Sequence, residues 1–597
     1  MDSDKKNYNI TIDFGTCNSV VSYIEDNIIK HINDDITSDV LIPTTIYFIN
    51  ENITLNTTPN DLIPERDYYI GSASNDLVNS NKDYENYFFQ FKRFLGITSK
   101  SIEAYKDFLH KYNFNYTVDE DTIYFYIGKK DSDIKLKLSV GDLVRLFILG
   151  LKKIICSKLN ICWNSAESDK NNFKPNIILS CPAYFHELQR SQLKRAVEQA
   201  GFEVFKLINE PTAAAIYYIN KFLINQNTNI SDISDIPDIT NHEIEQINKK
   251  KFIVYDVGGG TIDTTVVEYY TEHNTCEVID IDGNNGLGGL DIDNLLAWDI
   301  MDFYSIDKTN VKWINRIKKV SEEIKIKLTS LNNYTVCLES VPINKLGKII
   351  YVDELKISYS RQKFNNLIND LVEQMILSIK NMYIKHNISN IIFIGGPTQI
   401  PLLQQKVQAM INTNEQNYTS NTIGINSNDM FLYKTIVSMG SCVLFNKISS
   451  KEDFRLLDII PMNIGISGID NEMIVMVEKN SKLPVSTEKY FSTSHDCQRT
   501  IDIEVYEGLS SECESNTFIG KYKIINIPPL QKGMILIKLL FKISYNGILD
   551  ISISGFKNPS DNSAKSFDFK LYENIKVIPN IVAKEIIKKL TLLLNAK

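Results

Sequence analysis

An α/β fold followed by an antiparallel β-sandwich is predicted for this chain, on three observations. From residue 8 to about 445, short apolar runs alternate with long amphipathic segments, the alternation expected of strands and helices packed in layers. From 462 to about 573 the apolar runs shorten, become β-rich and are parted by turn residues, as in a sandwich of hairpins. One motif, an apolar run, Asp-x-Gly with Thr and a second apolar run, opens the strand pattern and recurs in its middle.

The first copy carries Asp13, Gly15 and Thr16 and runs on into residues 20–24; the second carries Asp256, Gly258, Gly259, Gly260, Thr261 and Asp263 and runs on into residues 264–268. Each reads as a β-hairpin whose tight turn exposes backbone N–H groups. Glycines let the backbone approach phosphate oxygens, the threonines add hydroxyl donors, and the aspartates stand where a hydrated Mg²⁺ sits. Two such hairpins facing each other would hold a polyphosphate.

Further along, residues 177–180, 252–255 and 390–394 are expected as buried strands, and 143–159, 187–200, 312–329 and 363–385 as helices by their apolar spacing. Pro211, after Asn209 and Glu210, marks a helix start with proline in its first turn. Residues 160–175 and 225–248, rich in Asn, Ser, Asp and Thr, read as loop insertions. A polar joint at 449–454 and the apolar segment 456–461 lead into the sandwich. Its strands are expected at 473–478, 489–492, 500–506, 518–525, 535–543 and 548–553, with Tyr545, Asn546 and Gly547 as a hairpin turn. Residues 580–597 have the spacing of one amphipathic helix.

At 597 residues the chain is too long for one core, so about two to four domains are expected. A net charge of -9 argues against a nucleic-acid binder, and the run Lys249, Lys250, Lys251 reads as a solvated loop end. No apolar stretch has bilayer-spanning length, and residues 1–6 do not resemble a signal peptide; a cytoplasmic monomer without membrane contact is the expectation. The nine cysteines (Cys17, Cys156, Cys162, Cys181, Cys276, Cys337, Cys442, Cys497, Cys513) include no Cys-x-x-Cys pair, so reduced, mostly buried thiols are expected rather than zinc or disulfides.

Six blocks, residues 13–19, 182–185, 208–215, 256–263, 287–294 and 394–401, resemble in order and spacing the ATPase domain of the 70-kDa heat-shock chaperones, the DnaK family. Residues 456–461 and the β-rich region after them resemble that family's interdomain linker and peptide-binding sandwich. The resemblance implies an actin-like ATPase domain at 1–449 with two lobes and ribonuclease-H-like subdomains, a linker at 450–461 containing Leu456, Leu457 and Asp458, a sandwich at 462–573, and a short helical remnant of a lid at 574–597.

By the same resemblance, ATP or ADP with Mg²⁺, and K⁺ as a candidate second ion, would lie in the cleft. Asp13 and Asp256 would organise the metal's water shell, while Gly15, Thr16, Cys17, Gly258, Gly259, Gly260 and Thr261 wrap the phosphates. Lys92 matches the catalytic lysine, and Glu210 and Asp263 match carboxylates that orient water and metal. Gly289, Glu322, Lys325, Thr329, Gly395, Gly396 and Gln399 match the nucleoside side. Ile466, Ile469, Phe491, Ser494, Ile501 and Ile503 match positions enclosing an apolar side chain of an extended peptide. Pro182 matches a proline that links nucleotide state to lobe rotation. Unfolded or extended hydrophobic peptides, a J-domain co-chaperone and a nucleotide-exchange factor are the implied partners.

The chain departs from the family pattern in places. Ile326 and Gln399 stand where arginines pack on the adenine, and Pro397 replaces a serine; losing two guanidinium planes forfeits roughly 0.5 to 2 kcal/mol each, so weak ATP binding is expected. Leu290 occupies an acidic position, and Lys206 stands where an arginine engages J-domains. With little sequence after the sandwich, weak and rapidly exchanging client binding is expected. The reading that follows is a chaperone with slow ATP hydrolysis coupled to peptide affinity. A non-catalytic or weakly catalytic exchange regulator on the same scaffold is the alternative, whereas a sugar kinase or filament former would not be expected to carry the linker and sandwich.

Overall fold

In the computed structural model, residues 8–49, 57–81, 84–99, 101–106, 109, 114–119, 122–128, 136–161, 163, 175–224, 249–412, 432–525, 527–557 and 566–567 are described. Most of the insertion expected at 160–175, all of that at 225–248, Cys162 and the C-terminal helix expected at 580–597 lie outside them. Contacts divide the chain into two units, Met1–Phe185 with Gln192–Leu457, and His186–Ser191 with Asp458–Lys597.

The first unit has two lobes, each with its own apolar core. In lobe one, β1 (Ile10–Phe14), β2 (Asn18–Glu25) and β3 (Ile28–Ile32) form an antiparallel meander. The chain continues through α1 (Val140–Leu159), β4 (Asn176–Cys181), α2 (Glu187–Gln199), β5 (Glu203–Asn209) and α3 (Glu210–Tyr218). The sheet runs β5-β4-β1-β2-β3, with β4 parallel to both of its neighbours. Helix α1 buries Leu143, Phe147 and Leu151 on one face, and Phe147 lies 5.8 Å from the Phe14 ring. A capping box starts it, Ser139 Oγ accepting from Asp142 N at 3.0 Å and Asp142 Oδ2 accepting from Ser139 N at 3.0 Å. Asn160, in the left-handed region, ends it.

Lobe two repeats the theme with β6 (Lys249–Val257), β7 (Ile262–Tyr270) and β8 (Thr275–Asn284). Then come α4 (Gly289–Phe303), α5 (Val311–Ser330), β9 (Asn333–Lys345), β10 (Lys348–Ser360), α6 (Arg361–Met375), α7 (Leu377–His386), β11 (Ile391–Ile394), α8 (Pro401–Asn412), α9 (Leu432–Ser449) and β12 (Arg455–Leu457). The sheet order is β11-β6-β7-β8-β12, an antiparallel meander flanked by parallel strands. The two lobes are therefore variations on one α/β plan, the actin-like arrangement of two ribonuclease-H-like halves.

Two expectations change, and one segment gains an element. The lysines at 249–251 open β6 rather than end a loop, because Lys249 and Lys251 reach the buried Glu268 of β7 at 2.8 and 3.1 Å. The helix expected over 363–385 is two helices, α6 and α7, breaking at Ile376 with ψ near zero. Each helix keeps its own apolar row, Phe364, Ile368 and Val372, then Ile379, Met382 and Tyr383, on the core. The apolar segment after the polar joint is a strand: β12 pairs with β8, setting Leu456 opposite Cys276 and half-burying it.

The lobes meet through α3 and α9. Residues Ala213, Ala214 and Ala215 of α3 are buried, and a β-carbon at Gly440 of α9 would lie 1.8 Å from the Ala213 carbonyl oxygen. Thr11 Oγ1, on β1, reaches Ser438 O and Cys442 Sγ, each at 3.2 Å, and ties α9 to lobe one. No helix among the described residues is long and apolar enough to cross a membrane.

The second unit contains β13 (Asn463–Ser467), β14 (Met473–Val477), β15 (Val485–Ser492), β16 (Ile501–Gly508), β17 (Thr517–Ile524), β18 (Ile535–Ile543), β19 (Leu549–Lys557) and β20 (Ser566–Phe567). They form two antiparallel sheets, β14-β13-β16-β17 and β15-β18-β19-β20. In β18 every second residue, from Ile535 to Ile543, is buried, which is the period of a strand with one face on a core. Gly547 donates to Ser544 O at 2.9 Å and closes the expected β18–β19 turn.

Gly440→Ala is expected to cost about 1–3 kcal/mol by forcing α3 and α9 apart. Gly520→Ala, where no atom lies within 4 Å of the new methyl, is expected to stay within about 0.5 kcal/mol. Denaturant titration of both variants checks the pair.

Candidate functional site

The turn between β1 and β2 holds Gly15, Thr16 and Cys17, and that between β6 and β7 holds Gly258, Gly259, Gly260 and Thr261. A β-carbon at Gly259 would sit 2.5 Å from Cys17 Sγ, and one at Gly260 3.2 Å from Thr16 Cγ2. The two turns therefore face each other across the lobes at a distance only glycine allows. The first turn of α4 backs the second hairpin: Gly289 N donates to Gly258 O at 3.0 Å and Leu290 N to Gly259 O at 2.9 Å. Gly395, at φ +81, would set a β-carbon 2.1 Å from Val257 O and 2.9 Å from Asp256 Oδ1. Side chains are excluded from this cradle, leaving backbone N–H groups and the nearly buried Thr16 and Thr261 to meet an anion.

Behind the turns lie the carboxylates. Asp13 is the last residue but one of β1, Asp256 and Asp263 stand opposite each other on β6 and β7, and Glu210 opens α3. Ser180 donates to Asp13 at 2.6 Å and Tyr184 N to Asp263 at 2.7 Å. Lys92 is buried, bonded to Glu210 at 2.9 Å and set 5.8 and 5.5 Å from the Phe14 and Phe185 rings.

Burial, then the Glu210 charge, pushes Asp13 up to about 7 against the help of Ser180 and Lys92. Burial, then Glu210, Asp263 and Asp13, raises Asp256 well above the carboxylate range. Burial pulls Lys92 down, but Glu210 and Asp13 outweigh it and hold the ammonium above its ordinary range. Carboxylates so crowded are short of positive charge, and a divalent cation would relieve them. Among the described residues no three His, Cys, Asp or Glu side chains cluster as a direct metal cage. Burial also lifts the Cys17 thiol to about 12, so Cys17 adds no negative charge beside the cradle.

A cavity of about 520 Å³ opens from the turns, lined among others by Thr16, Cys17, Gln90, Leu290, Asp293 and Glu322, a size that admits a nucleotide. On α5, Lys325 bonds Asp293 at 2.7 Å and Gly289 O at 3.3 Å, while Glu322 is exposed. Burial raises Asp293 to about 6 although Lys325 opposes it. Thr329 turns its hydroxyl to Ile326 O at 2.7 Å, and Ile326 is 44% exposed. Pro397 presses on Gly289, its Cγ 2.6 Å from where a β-carbon would be. Among the described residues nothing lies within 4 Å of a Gly396 β-carbon, and the half-buried Gln399 has no partner for Nε2.

Two residues escaped the sequence reading. Asp293 lies inside the 287–294 block, and its partner Lys325 is 32 positions further along the chain, so no local pattern marked the pair. Arg93 follows Lys92 and bonds Asp291 at 2.8 Å and Gly286 O at 3.1 Å. Leu290, at the position where an acidic residue was usual, packs on the turn, its Cδ1 3.6 Å from where a Gly259 β-carbon would be.

In the second unit the six expected peptide-contact residues part company. Ile466 and Ile503 are buried in the core, Phe491 and Ile501 are half-buried against it, and Ile469 and Ser494 lie on loops, Ile469 91% exposed. Asp458 is buried, its carbonyl accepting from Leu483 N at 2.8 Å.

The family model described as Hsp70 protein matches residues 9–566. A chaperone protein dnaK from Cyanidium caldarium is 25% identical over 559 residues, covering 91% of this chain and 77% of its own length.

Asp13 must ionise inside the fold at about pH 7 but near pH 3.9 when unfolded, so its cost is absent below pH 4, grows to pH 7 and then stays constant. Asp13→Asn is expected to stabilise the ligand-free protein by roughly 1–3 kcal/mol at pH 8 and not at pH 4. Denaturant titration at the two pH values measures this.

Proposed function

The chain belongs to the Hsp70 family, a family of chaperones and ATPases that use ATP or ADP with Mg²⁺, and from that premise we propose a slow ATP hydrolysis engine that governs affinity for extended apolar peptides. The observation that carries this reading is the apposition of the two glycine turns, Cys17 against Gly259 and Thr16 against Gly260, with Lys92 and Glu210 paired behind them. In this reading Gly15, Thr16, Gly258, Gly259, Gly260 and Thr261 grip the phosphates, and Asp13 and Asp256 hold Mg²⁺ through water. The metal would supply neutralisation of phosphate charge.

Lys92, fixed by Glu210, faces the charge that spreads over the terminal phosphoryl group during transfer to water. Glu210 and Asp263 orient water and the metal's shell. Glu322, Lys325, Thr329, Gly395, Gly396 and Gln399 form the nucleoside side, where Lys325 must divide itself between Asp293 and the ligand. The half-buried Phe491 and Ile501 line the peptide groove with Ile466 and Ile503 packed behind them, and the exposed Ile469 with Ser494 forms its rim. Leu456, docked by β-pairing on β8, links the engine to the sandwich, and Lys206 on β5 is the proposed J-domain contact.

The exposed Ile326 favours a second reading, a weakly catalytic exchange regulator, because the base side lacks a cationic plane. Single-turnover hydrolysis with and without an apolar peptide decides between them. Peptide stimulation that disappears in Lys92→Ala, with cleavage slowed at least about a hundredfold, supports the engine; no turnover in the wild type supports the regulator. The double variant Ile326→Arg, Gln399→Arg is expected to tighten ATP binding about tenfold in calorimetry.

A further inference from the structure

Lys92 and Arg93 sit side by side in the short turn Phe91–Phe94 of lobe one, but their side chains go opposite ways. Lys92 stays within lobe one, toward Glu210. Arg93 crosses to lobe two, where its Nη2 bonds Asp291 Oδ2 at 2.8 Å and Gly286 O at 3.1 Å. The Arg93 side chain is 7% exposed and that of Asp291 24%. The same Asp291 oxygen accepts from Gly288 N at 2.7 Å, so the carboxylate caps α4 and receives the arginine together. That first turn of α4 is also the one whose Gly289 and Leu290 amides hold Gly258 and Gly259.

Arg93 in addition touches the phosphate turn itself. A β-carbon at Gly260 would come within 3.0 Å of Arg93 Nε and 3.2 Å of its Cγ. That Nε is buried and has no hydrogen-bond partner among the described residues, an expensive condition for a guanidinium N–H unless an acceptor arrives beside Gly260. Opening the cleft at this point must part the pair between the nearly buried Arg93 and the partly exposed Asp291 and break the charge-assisted hydrogen bonds that Arg93 Nη2 makes to Asp291 and Gly286.

We propose that Arg93 is a cross-lobe clasp: through Asp291 it holds the second phosphate turn against lobe one, and its opening sets the rate at which phosphate and nucleotide leave. This deepens the ATPase reading and rests on it for the identity of the ligand. Arg93 is a positioning residue, acting through Gly260 and the cap of α4 rather than on the reacting atoms. Its guanidinium cannot be replaced by an ammonium without losing the fork that reaches Asp291, Gly286 and the Gly260 side at once.

The test separates release from cleavage in the full chain. Arg93→Lys, Arg93→Ala, Asp291→Asn and the Arg93→Ala, Asp291→Asn double variant are compared by quenched single-turnover cleavage of ATP, by phosphate release with a fluorescent phosphate sensor, and by stopped-flow dissociation of a fluorescent ADP. Asp291→Asn keeps an oxygen for Gly288 N and guards against simple loss of the α4 cap. Expected are release and dissociation about tenfold faster in Arg93→Ala and Asp291→Asn, an intermediate effect in Arg93→Lys, no further gain in the double variant, and a smaller change in cleavage than in release. Release unchanged in both single variants, or cleavage lost with dissociation unaltered, overturns the clasp. If the wild type cleaves no ATP, the ATPase reading fails, and ADP dissociation alone still decides the clasp: faster in the variants supports it, unchanged overturns it.

Discussion

Everything in the first unit depends on two backbone turns from different lobes coming closer than side chains permit. Cys17 against Gly259, Thr16 and Arg93 against Gly260, Gly288 against Gly259 and Gly395 against Val257 are one set of contacts. Each removes a β-carbon from the same small space. What remains is a cradle of amide donors and two nearly buried threonine hydroxyls, which has little chemical use except to surround a multiply charged anion. The close crossing of α3 and α9 at Gly440 and Ala213 belongs to the same requirement, since it sets how near the lobes can stand.

Charge then follows from closeness. Asp13 and Asp256 share a buried region with the Glu210 charge and one lysine, so these two aspartates hold protons well above their ordinary range and Lys92 holds its own. A site of this kind costs the empty fold stability and recovers it when a cation and a polyphosphate enter. The phosphate side and the nucleoside side differ in this respect. The former is over-supplied with fixed groups, while on the latter Lys325 is already engaged by Asp293 and Gly289, and Ile326 offers a partly exposed apolar face.

The last strand of the first unit is held by main-chain pairing. Arg455, Leu456 and Leu457 extend the lobe-two sheet beside β8, so the linker is read as an added strand whose hydrogen bonds do not depend on its side chains, while the half-buried Leu456 packs against the lobe-two core. β8 is the third strand of the meander whose first turn holds Gly258 to Thr261, which puts residues 455–457 in one sheet with that turn.

The order of strands and helices, the two glycine turns and the alternating sandwich strands were legible from sequence because each is a local pattern: period 2, period 3.6, or a glycine where a turn needs one. Lys249, Lys250 and Lys251 were misread as a loop end because their partner, Glu268, lies across a strand pair, and the break at Ile376 was invisible because the apolar spacing continues through it. The Arg93–Asp291 and Lys325–Asp293 pairs were likewise hidden, joining residues 198 and 32 positions apart. In the sandwich, the sequence could say that Ile466, Ile469, Phe491, Ile501 and Ile503 were apolar, but not that Ile466 and Ile503 would be buried while Ile469 stood in solvent. By itself the chain determined its elements and the chemistry of its turns, which are set by neighbours a few residues away. The tertiary structure alone decided which charges meet and which apolar groups are covered, because those depend on energies between residues that the chain does not bring together until it folds.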